Sequence, residues 1–302
     1  MISPEMKNAI KMIKLWKMSL ITMSVANWRF SLNITSKFTK LPKNIEVDKL
    51  KINNIPAFKV SAMNARKDRI VLYLHGGGYI GGSFKTHKEF IARLSKIANI
   101  QVLLIEYRLA PENPFPAALD DSIKAYNWII SKGYNPNNII IAGDSAGGGL
   151  CLSTLLKLRD EKIPLPCAAV CISPWTDLAL TGTSIKTKAK LDPVLIEELL
   201  KLGVKSYKGD ADPKNPYISP LYGDLTGFPP LLIIVGTSEI FLDDSLRLAK
   251  IAEKVNVKVK LDVWEDMIHT FPLLSIKAPE SVHATKAIAD FINSALNNQK
   301  NP

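Results

Sequence analysis

Apolar residues along this chain fall into two rhythms. Short unbroken runs lie near 69–75, 100–106, 138–144, 167–173 and 230–236, and each reads as a strand buried on both faces. Segments near 46–52, 57–62 and 258–264 alternate apolar with polar residues, as half-exposed strands do. Between them, apolar positions recur every three or four residues near 86–98, 116–132, 145–159, 242–255 and 279–296, which predicts helices. From Arg69 onward strand and helix alternate. That order predicts an α/β fold whose mostly parallel central sheet is flanked by helices, with the first two strands as an antiparallel edge. Two segments fall outside the alternation. Residues 1–40 read as helices without a strand partner, with Ile10, Ile13, Leu15, Trp16, Leu20 and Ile21 forming an amphipathic stripe. Residues 181–227 hold an expected helix over 193–202 and a loop through Pro213, Pro216 and Pro220; an insertion of that length beside a sheet reads as a lid.

Composition sharpens this picture without changing it. The chain has 302 residues, 47% hydrophobic and 22% charged, enough for one large α/β domain with a sizeable core. The net charge of +11 raises nucleic acid or an anionic membrane as partners. The lysines are scattered, however, many on alternating strand positions such as Lys49, Lys51, Lys258 and Lys260. A solvated basic surface with no nucleic-acid partner is therefore expected. Three cysteines, Cys151, Cys167 and Cys171, are too few and odd in number for a disulfide framework. They read as small buried hydrophobes of a protein kept reduced, so the expected location is cytoplasmic. No apolar stretch is long enough for a transmembrane helix, and Lys7, Lys11, Lys14 and Lys17 break up any signal-peptide layout, so no stable membrane insertion is expected.

Chemistry enters at 137–149. The run Ile139-Ile140-Ile141-Ala142 breaks into Gly143-Asp144-Ser145-Ala146-Gly147 and then into a helical stretch. Gly-x-Ser-x-Gly between a strand and a helix is a nucleophile elbow: a sharp turn lifts the serine Oγ above the sheet, and the helix start offers free N–H groups. Upstream, strand 69–74 ends in His75-Gly76-Gly77-Gly78-Tyr79. Acyl transfer needs N–H groups aimed at the oxygen of a tetrahedral intermediate, and glycines let the backbone come that close. The expected donors are the N–H groups of Gly77, Gly78 and Ala146, with His75 and Gly76 supporting the loop. The same glycines, with Gly81 and then Glu106 after the next strand, imitate a dinucleotide-binding fingerprint. That reading needs a helix to open inside the glycine run, where Tyr79, Ile80, Ser83 and Phe84 intervene, and it leaves the Ser145 elbow unexplained.

A serine nucleophile needs a base, and the chain has four histidines: His75, His87, His269 and His283. In the order Ser, Asp/Glu, His typical of such elbows, His269 and His283 remain. His269 lies in a short loop after the strand ending at Trp264, whereas His283 falls on the last helix and is expected to be exposed. The acid should follow strand 230–236. Glu239 comes first and is preferred; Asp243, at a helix start, and Asp177, after an earlier strand, stand as alternatives.

Taken with Tyr107-Arg108-Leu109-Ala110-Pro111-Glu112, Ser173-Pro174-Trp175-Thr176-Asp177-Leu178 and Met267-Ile268-His269, these motifs resemble the hormone-sensitive-lipase-like branch of the α/β-hydrolases. They run in the family's order from about 70 to 270. The resemblance implies the α/β-hydrolase fold as a single domain over 1–302, with a helical cap built from about 1–40 and 181–227. It implies a carboxylesterase acting on small-molecule esters through a Ser145, Glu239, His269 triad and an oxyanion hole at Gly77, Gly78 and Ala146. No cofactor and no metal are implied, and a homodimer is compatible with it. Family members often carry Asp where this chain has Glu239, whose side chain is one methylene longer. Trp16, Trp28, Phe30, Tyr79, Phe84, Leu191 and Tyr207 are candidates to shape the acyl pocket. Three rival readings use the same residues. A trypsin-like protease would need His before Ser and a β-rich fold. A binding protein on the same fold would have lost its base, which is present here. Amide hydrolysis at the same site is distinguished from ester hydrolysis by turnover of anilides.

Overall fold

The computed structural model describes residues 2–18, 24–37, 39–274 and 277–298. Leu20 and Ile21 of the amphipathic stripe lie outside the described residues. In chain order the elements are helices α1 (Pro4–Met18) and α2 (Val25–Ser36), strands β1 (Ile45–Ile52), β2 (Ile55–Ala62) and β3 (Arg66–Leu74), then α3 (Phe84–Ala98), β4 (Ile100–Ile105), α4 (Ala117–Ser131), β5 (Ile139–Asp144) and α5 (Ala146–Asp160). They continue through β6 (Ala168–Ile172), the single turn α6 (Ser184–Thr187), α7 (Glu197–Lys208), β7 (Leu231–Gly236), α8 (Leu242–Lys254), β8 (Val259–Trp264) and α9 (Pro279–Asn298).

The eight strands form one sheet in the order β1-β2-β4-β3-β5-β6-β7-β8. β1 and β2 pair antiparallel, as does β2 with β4, and every pairing from β4 through β8 is parallel. β4, β5, β6 and β7 are buried at every position, because helices cover both faces and alternate side chains feed two separate cores. Leu72, Ile141, Cys171 and Ile233 face a core closed by α4, α5, α7 and α8; Val71, Ile140, Val170 and Ile234 face one closed by α3 and α9. The edge strand β8 has no fully buried position: Lys260 and Val263 are exposed and the other four are partly buried.

The two segments outside the βα alternation dock on the sheet's helical layers. The start of α1 is fixed to α9, with Ser3 N–H and Oγ–H each donating to the Glu280 carboxylate at 2.7 Å, and Met6 buried in the α3/α9 core. Its far end brings Trp16 to within 5.9 Å of Trp28 on α2, ring centre to ring centre. Trp28 and the α7 residues Leu199, Leu200 and Tyr207 share a core with Ala146 at the start of α5. α7 begins at Glu197, four residues later than the helix expected over 193–202. Asp192 Oδ1 accepts from Val194 N–H at 2.8 Å and Leu195 N–H at 3.0 Å, a turn that holds residues 192–195 out of the helix. Gly209, at φ +56°, ends it. Among the described residues no helix is long and apolar enough to cross a membrane.

Truncating Ile233, fully buried at the centre of β7, should destabilise the fold by about 2–5 kcal/mol. Lys49→Ala on the exposed side of β1 should change stability by less than about 0.5 kcal/mol. Urea unfolding followed by circular dichroism checks both.

Candidate active site

β5 delivers Ser145 to the carboxyl edge of the sheet. Its backbone sits at φ +54°, ψ −123°, a conformation rarely adopted by a residue with a Cβ. The neighbouring backbone pins it there: Ser145 N–H donates to Ile172 O at 2.8 Å, and Ser145 O accepts from Trp175 N–H at 2.9 Å and Gly149 N–H at 3.1 Å. The motif glycines let the turn close. A Cβ on Gly147 would collide with the carbonyl oxygens of Leu74 and His75, and one on Gly143 with Gly147 and Leu74.

The loop after β8 carries His269 over this turn. Its Nε2 lies 3.0 Å from Ser145 Oγ and its Nδ1 2.9 Å from Glu239 Oε2. All three side chains are buried, with exposures of 6% for Ser145, 3% for His269 and 0% for Glu239. Glu239 accommodates its extra methylene by folding back on the end of its own strand. Its Oε1 accepts from Gly236 N–H at 2.6 Å and from Ser173 Oγ–H at 2.9 Å, leaving Oε2 for the imidazole. Ser173 Oγ also accepts from Thr270 N–H at 3.1 Å, so one hydroxyl spans the acid and the histidine loop. Burial works to lower the His269 pKa, but the hydrogen bond and charge of Glu239 outweigh it and raise the imidazole above its ordinary value. Burial raises Glu239 as well, opposed by His269 and the Gly236 N–H.

The alternative acids do other work. Asp177 accepts from the N–H groups of Ala179 and Thr181, from the Thr181 and Tyr222 hydroxyls, and from Arg247 at 3.1 Å. Asp243 accepts from Thr183 Oγ–H at 2.6 Å and Ser184 N–H at 2.9 Å. Each fastens the 177–184 segment, and no hydrogen bond joins either to His269 among the described residues. His283 is exposed on α9, as expected.

The glycine loop after β3 faces the start of α5. No hydrogen bond among the described residues uses the N–H groups of Gly77, Gly78 or Ala146. Gly76 N–H donates to Asp144 Oδ1 at 3.0 Å, and a Cβ at Gly76 would strike the same carboxylate. His75 stacks on Tyr107 with ring centres 4.3 Å apart, and its Nδ1 lies 2.9 Å from Gly76 O. Burial, with the nearby His87, drives its pKa down to about 3, so His75 is neutral at ordinary pH and braces the loop.

Sequence reading passed over Asp144 and His87. Asp144 Oδ1 also accepts from Tyr73 Oη–H at 2.8 Å and lies 3.2 Å from His87 Nε2. Burial works to raise this carboxyl, yet His87, Tyr73 and Gly76 hold it below its ordinary value. One signal was available: an acidic residue between strand and nucleophile, at a position otherwise apolar, needs a buried partner. Of the residues expected to shape a pocket, Tyr79 and Tyr207 are buried and stacked at 3.7 Å. Phe30 and Leu191 instead face solvent, at 66% and 52% exposure, because each lies on the outer side of its segment. Phe84 stacks on Phe58 at 4.1 Å, beside the opposite core. The dinucleotide reading fails on geometry: α3 opens at Phe84, beyond the glycines, and Glu106 Oε1 accepts from Phe84 N–H at 3.0 Å. Among the described residues no group of three or more His, Cys, Asp and Glu is arranged to hold a metal ion.

Known proteins share the sequence pattern and the fold of this chain. Residues 71–273 match the model of a family described as having an alpha/beta hydrolase fold. An acetyl-hydrolase of Streptomyces hygroscopicus is 41% identical over 232 residues, 76% of this chain and 78% of that protein. An esterase of Acinetobacter venetianus is 34% identical over 256 residues, 84% of each chain. The crystal structure of an esterase from the bacterial hormone-sensitive lipase family superimposes with a TM-score of 0.94 at 39% identity, covering 97% of this chain and 99% of that one.

A serine hydroxyl held against an imidazole Nε2 is activated for attack on electrophiles. A fluorophosphonate probe should label Ser145 alone among the serines, read by mass spectrometry of peptides, and His269→Ala should slow that labelling by orders of magnitude.

Proposed function

Because the chain belongs to the α/β-hydrolase family, in its hormone-sensitive-lipase-like branch, and is a carboxylesterase, we propose that it hydrolyses small carboxylic esters through Ser145, His269 and Glu239. The observation that carries this reading is the unbroken hydrogen-bond chain from Ser145 Oγ through both nitrogens of His269 to Glu239 Oε2. His269 Nε2 takes the hydroxyl proton as Ser145 Oγ attacks the ester carbonyl carbon. The carbonyl oxygen becomes an oxyanion, held by the N–H groups of Gly77, Gly78 and Ala146 at the start of α5, where the helix dipole adds positive potential. Collapse of the intermediate breaks the ester C–O bond, and the leaving alcohol takes the proton from His269. Water, deprotonated by the same imidazole, then attacks the acyl-enzyme and releases the acid and free Ser145. Glu239 holds the Nδ1–H tautomer and stabilises the imidazolium at each stage.

In this reading the whole chain acts as a single domain, with residues 1–40 and 181–227 as a cap over Ser145. The preferred substrates carry short to medium acyl chains. Support comes from the row of buried rings that begins beside His269: Phe241 at 5.2 Å, Trp175 stacked on Phe241 at 5.5 Å, then Tyr79 at 6.2 Å and Tyr207. These rings fill the space beside His269 with rigid, fully packed side chains. p-Nitrophenyl butyrate was soaked into crystals of one relative, EstE5, 36% identical to this chain.

Hydrolysis of p-nitrophenyl esters from acetate to palmitate should be greatest at the short end and fall by at least about a thousandfold in Ser145→Ala. Turnover surviving that substitution would overturn the assignment of the nucleophile.

The base must be neutral to accept a proton. Because Glu239 raises His269, kcat/KM should rise with pH along a limb centred above 6.5, the ordinary histidine value. Glu239→Gln removes the charge that favours the imidazolium, so the limb should move to lower pH while its plateau falls. A limb that stays in place would exclude Glu239 as the partner of the base.

A further inference from the structure

The glycine loop is gripped on two sides. Toward α5, Gly76 abuts Asp144, and Leu74 and His75 abut Gly147. On the outer side lies α2, and two consecutive residues of that helix reach the loop. Trp28 Nε1–H donates to Gly77 O at 3.1 Å, and its indole packs on Gly81 so closely that a Cβ there would be 3.1 Å from Nε1. Arg29 donates from Nε to Ile80 O at 2.7 Å and from Nη2 to Ala110 O at 2.9 Å, and pairs with Glu112 at 2.7 Å.

The bond to Gly77 O bears on the chemistry because of peptide geometry. Gly77 C=O and Gly78 N–H belong to one planar trans peptide and point in opposite directions. Whatever fixes the carbonyl fixes the N–H. The residues on either side cannot do so by sterics: Gly77 sits at φ +127° and Gly78 at φ +68°, and two adjacent glycines let the plane between them rotate at small cost. Apart from the indole, Gly77 O accepts from Ile80 N–H at a long 3.3 Å. The indole is itself held: Trp28 is 5% exposed, packed in the core beside Ala146.

We propose that Trp28 is a positioning residue for catalysis: its indole N–H holds the Gly77 carbonyl outward, which keeps the Gly78 N–H aimed at the developing oxyanion. The inference rests on the reading of Gly78 as an oxyanion donor. It makes the N-terminal helical segment part of the catalytic apparatus through one hydrogen bond, in addition to whatever it does as a cover.

The test is replacement of Trp28 by phenylalanine and, to keep shape and packing, by its benzothienyl analogue, which lacks the N–H. Loss of one well-aimed oxyanion donor costs about 10²–10³ in kcat. A donor left present but free to rotate should cost part of that, roughly tenfold or more. KM for a p-nitrophenyl ester should stay within about twofold, because the bond acts on the transition state. Affinity for a trifluoromethyl ketone, which forms a tetrahedral oxyanion on Ser145, should fall in step with kcat/KM. Glu112→Gln serves as the control, since it removes the ion pair that braces Arg29 while leaving the indole and the Arg29 bonds to the loop: it should leave kcat and ketone affinity largely intact. Unchanged kcat and ketone affinity in the benzothienyl protein would overturn the proposal. So would an equal loss in Glu112→Gln, which would assign the effect to docking of the whole helix. Ser145→Ala run alongside separates the two levels: activity surviving there refutes the nucleophile assignment itself, whatever Trp28 does.

Discussion

Ser145 is held at φ +54°, ψ −123°, a conformation that costs a residue with a Cβ of the order of 1–3 kcal/mol, and the surrounding backbone must over-determine it. It does so through close packing. The end of β3 lies against the first turn of α5 at a distance that excludes any Cβ from Gly147, and Ile172, at the end of β6, receives the serine N–H. The strain at one residue therefore dictates the glycine on either side, the spacing of β3, β5 and β6, and the entry of α5. Because β3 and α5 meet there, the glycine loop that follows β3 is brought over the start of the helix. The proposed nucleophile and the N–H groups proposed to hold the oxyanion are thus placed by the same contact.

Polar burial is the second organising constraint. A carboxylate removed from water is tolerated when its lone pairs are filled by donors. Asp144 meets that condition with Tyr73, Gly76 and His87. Glu239 meets it with Gly236, Ser173 and His269. Both sets of donors also fix loops: Asp144 ties the glycine loop to the elbow, and Glu239, through Ser173, ties the histidine loop to the end of β6. Satisfying buried charge and aligning the site are one task in this molecule.

The strands and the order of candidate groups were readable in the sequence because both are local or ordinal properties. Period-two and period-3.6 patterns report which face a residue buries; chain order sets aside His75 and His87, and the helical pattern around His283 sets that one aside. What was not readable depends on pairs far apart in the chain. Ser173 meets Glu239 across 66 positions and Trp28 meets Gly77 across 49, and neither residue carries a local pattern that names its partner. The start of α7 was misplaced for a different reason: Asp192 competes with the helix for the first N–H groups, and apolar periodicity is blind to that competition. Phe30 and Leu191 were misjudged because an aromatic or leucine in a covering segment has two faces to choose from, and hydrophobicity does not say which is chosen.

The two hydrogen bonds from Ser3 to Glu280 join positions 277 residues apart. During synthesis α1 leaves the ribosome long before α9, so Met6, Ile10 and Ile13 must wait, exposed, for the surface that will cover them. Closing so large a loop carries an entropic cost that grows only as the logarithm of its length, so delay rather than instability is the consequence. α1, made before α9, takes its seat on that helix only after α9 has formed.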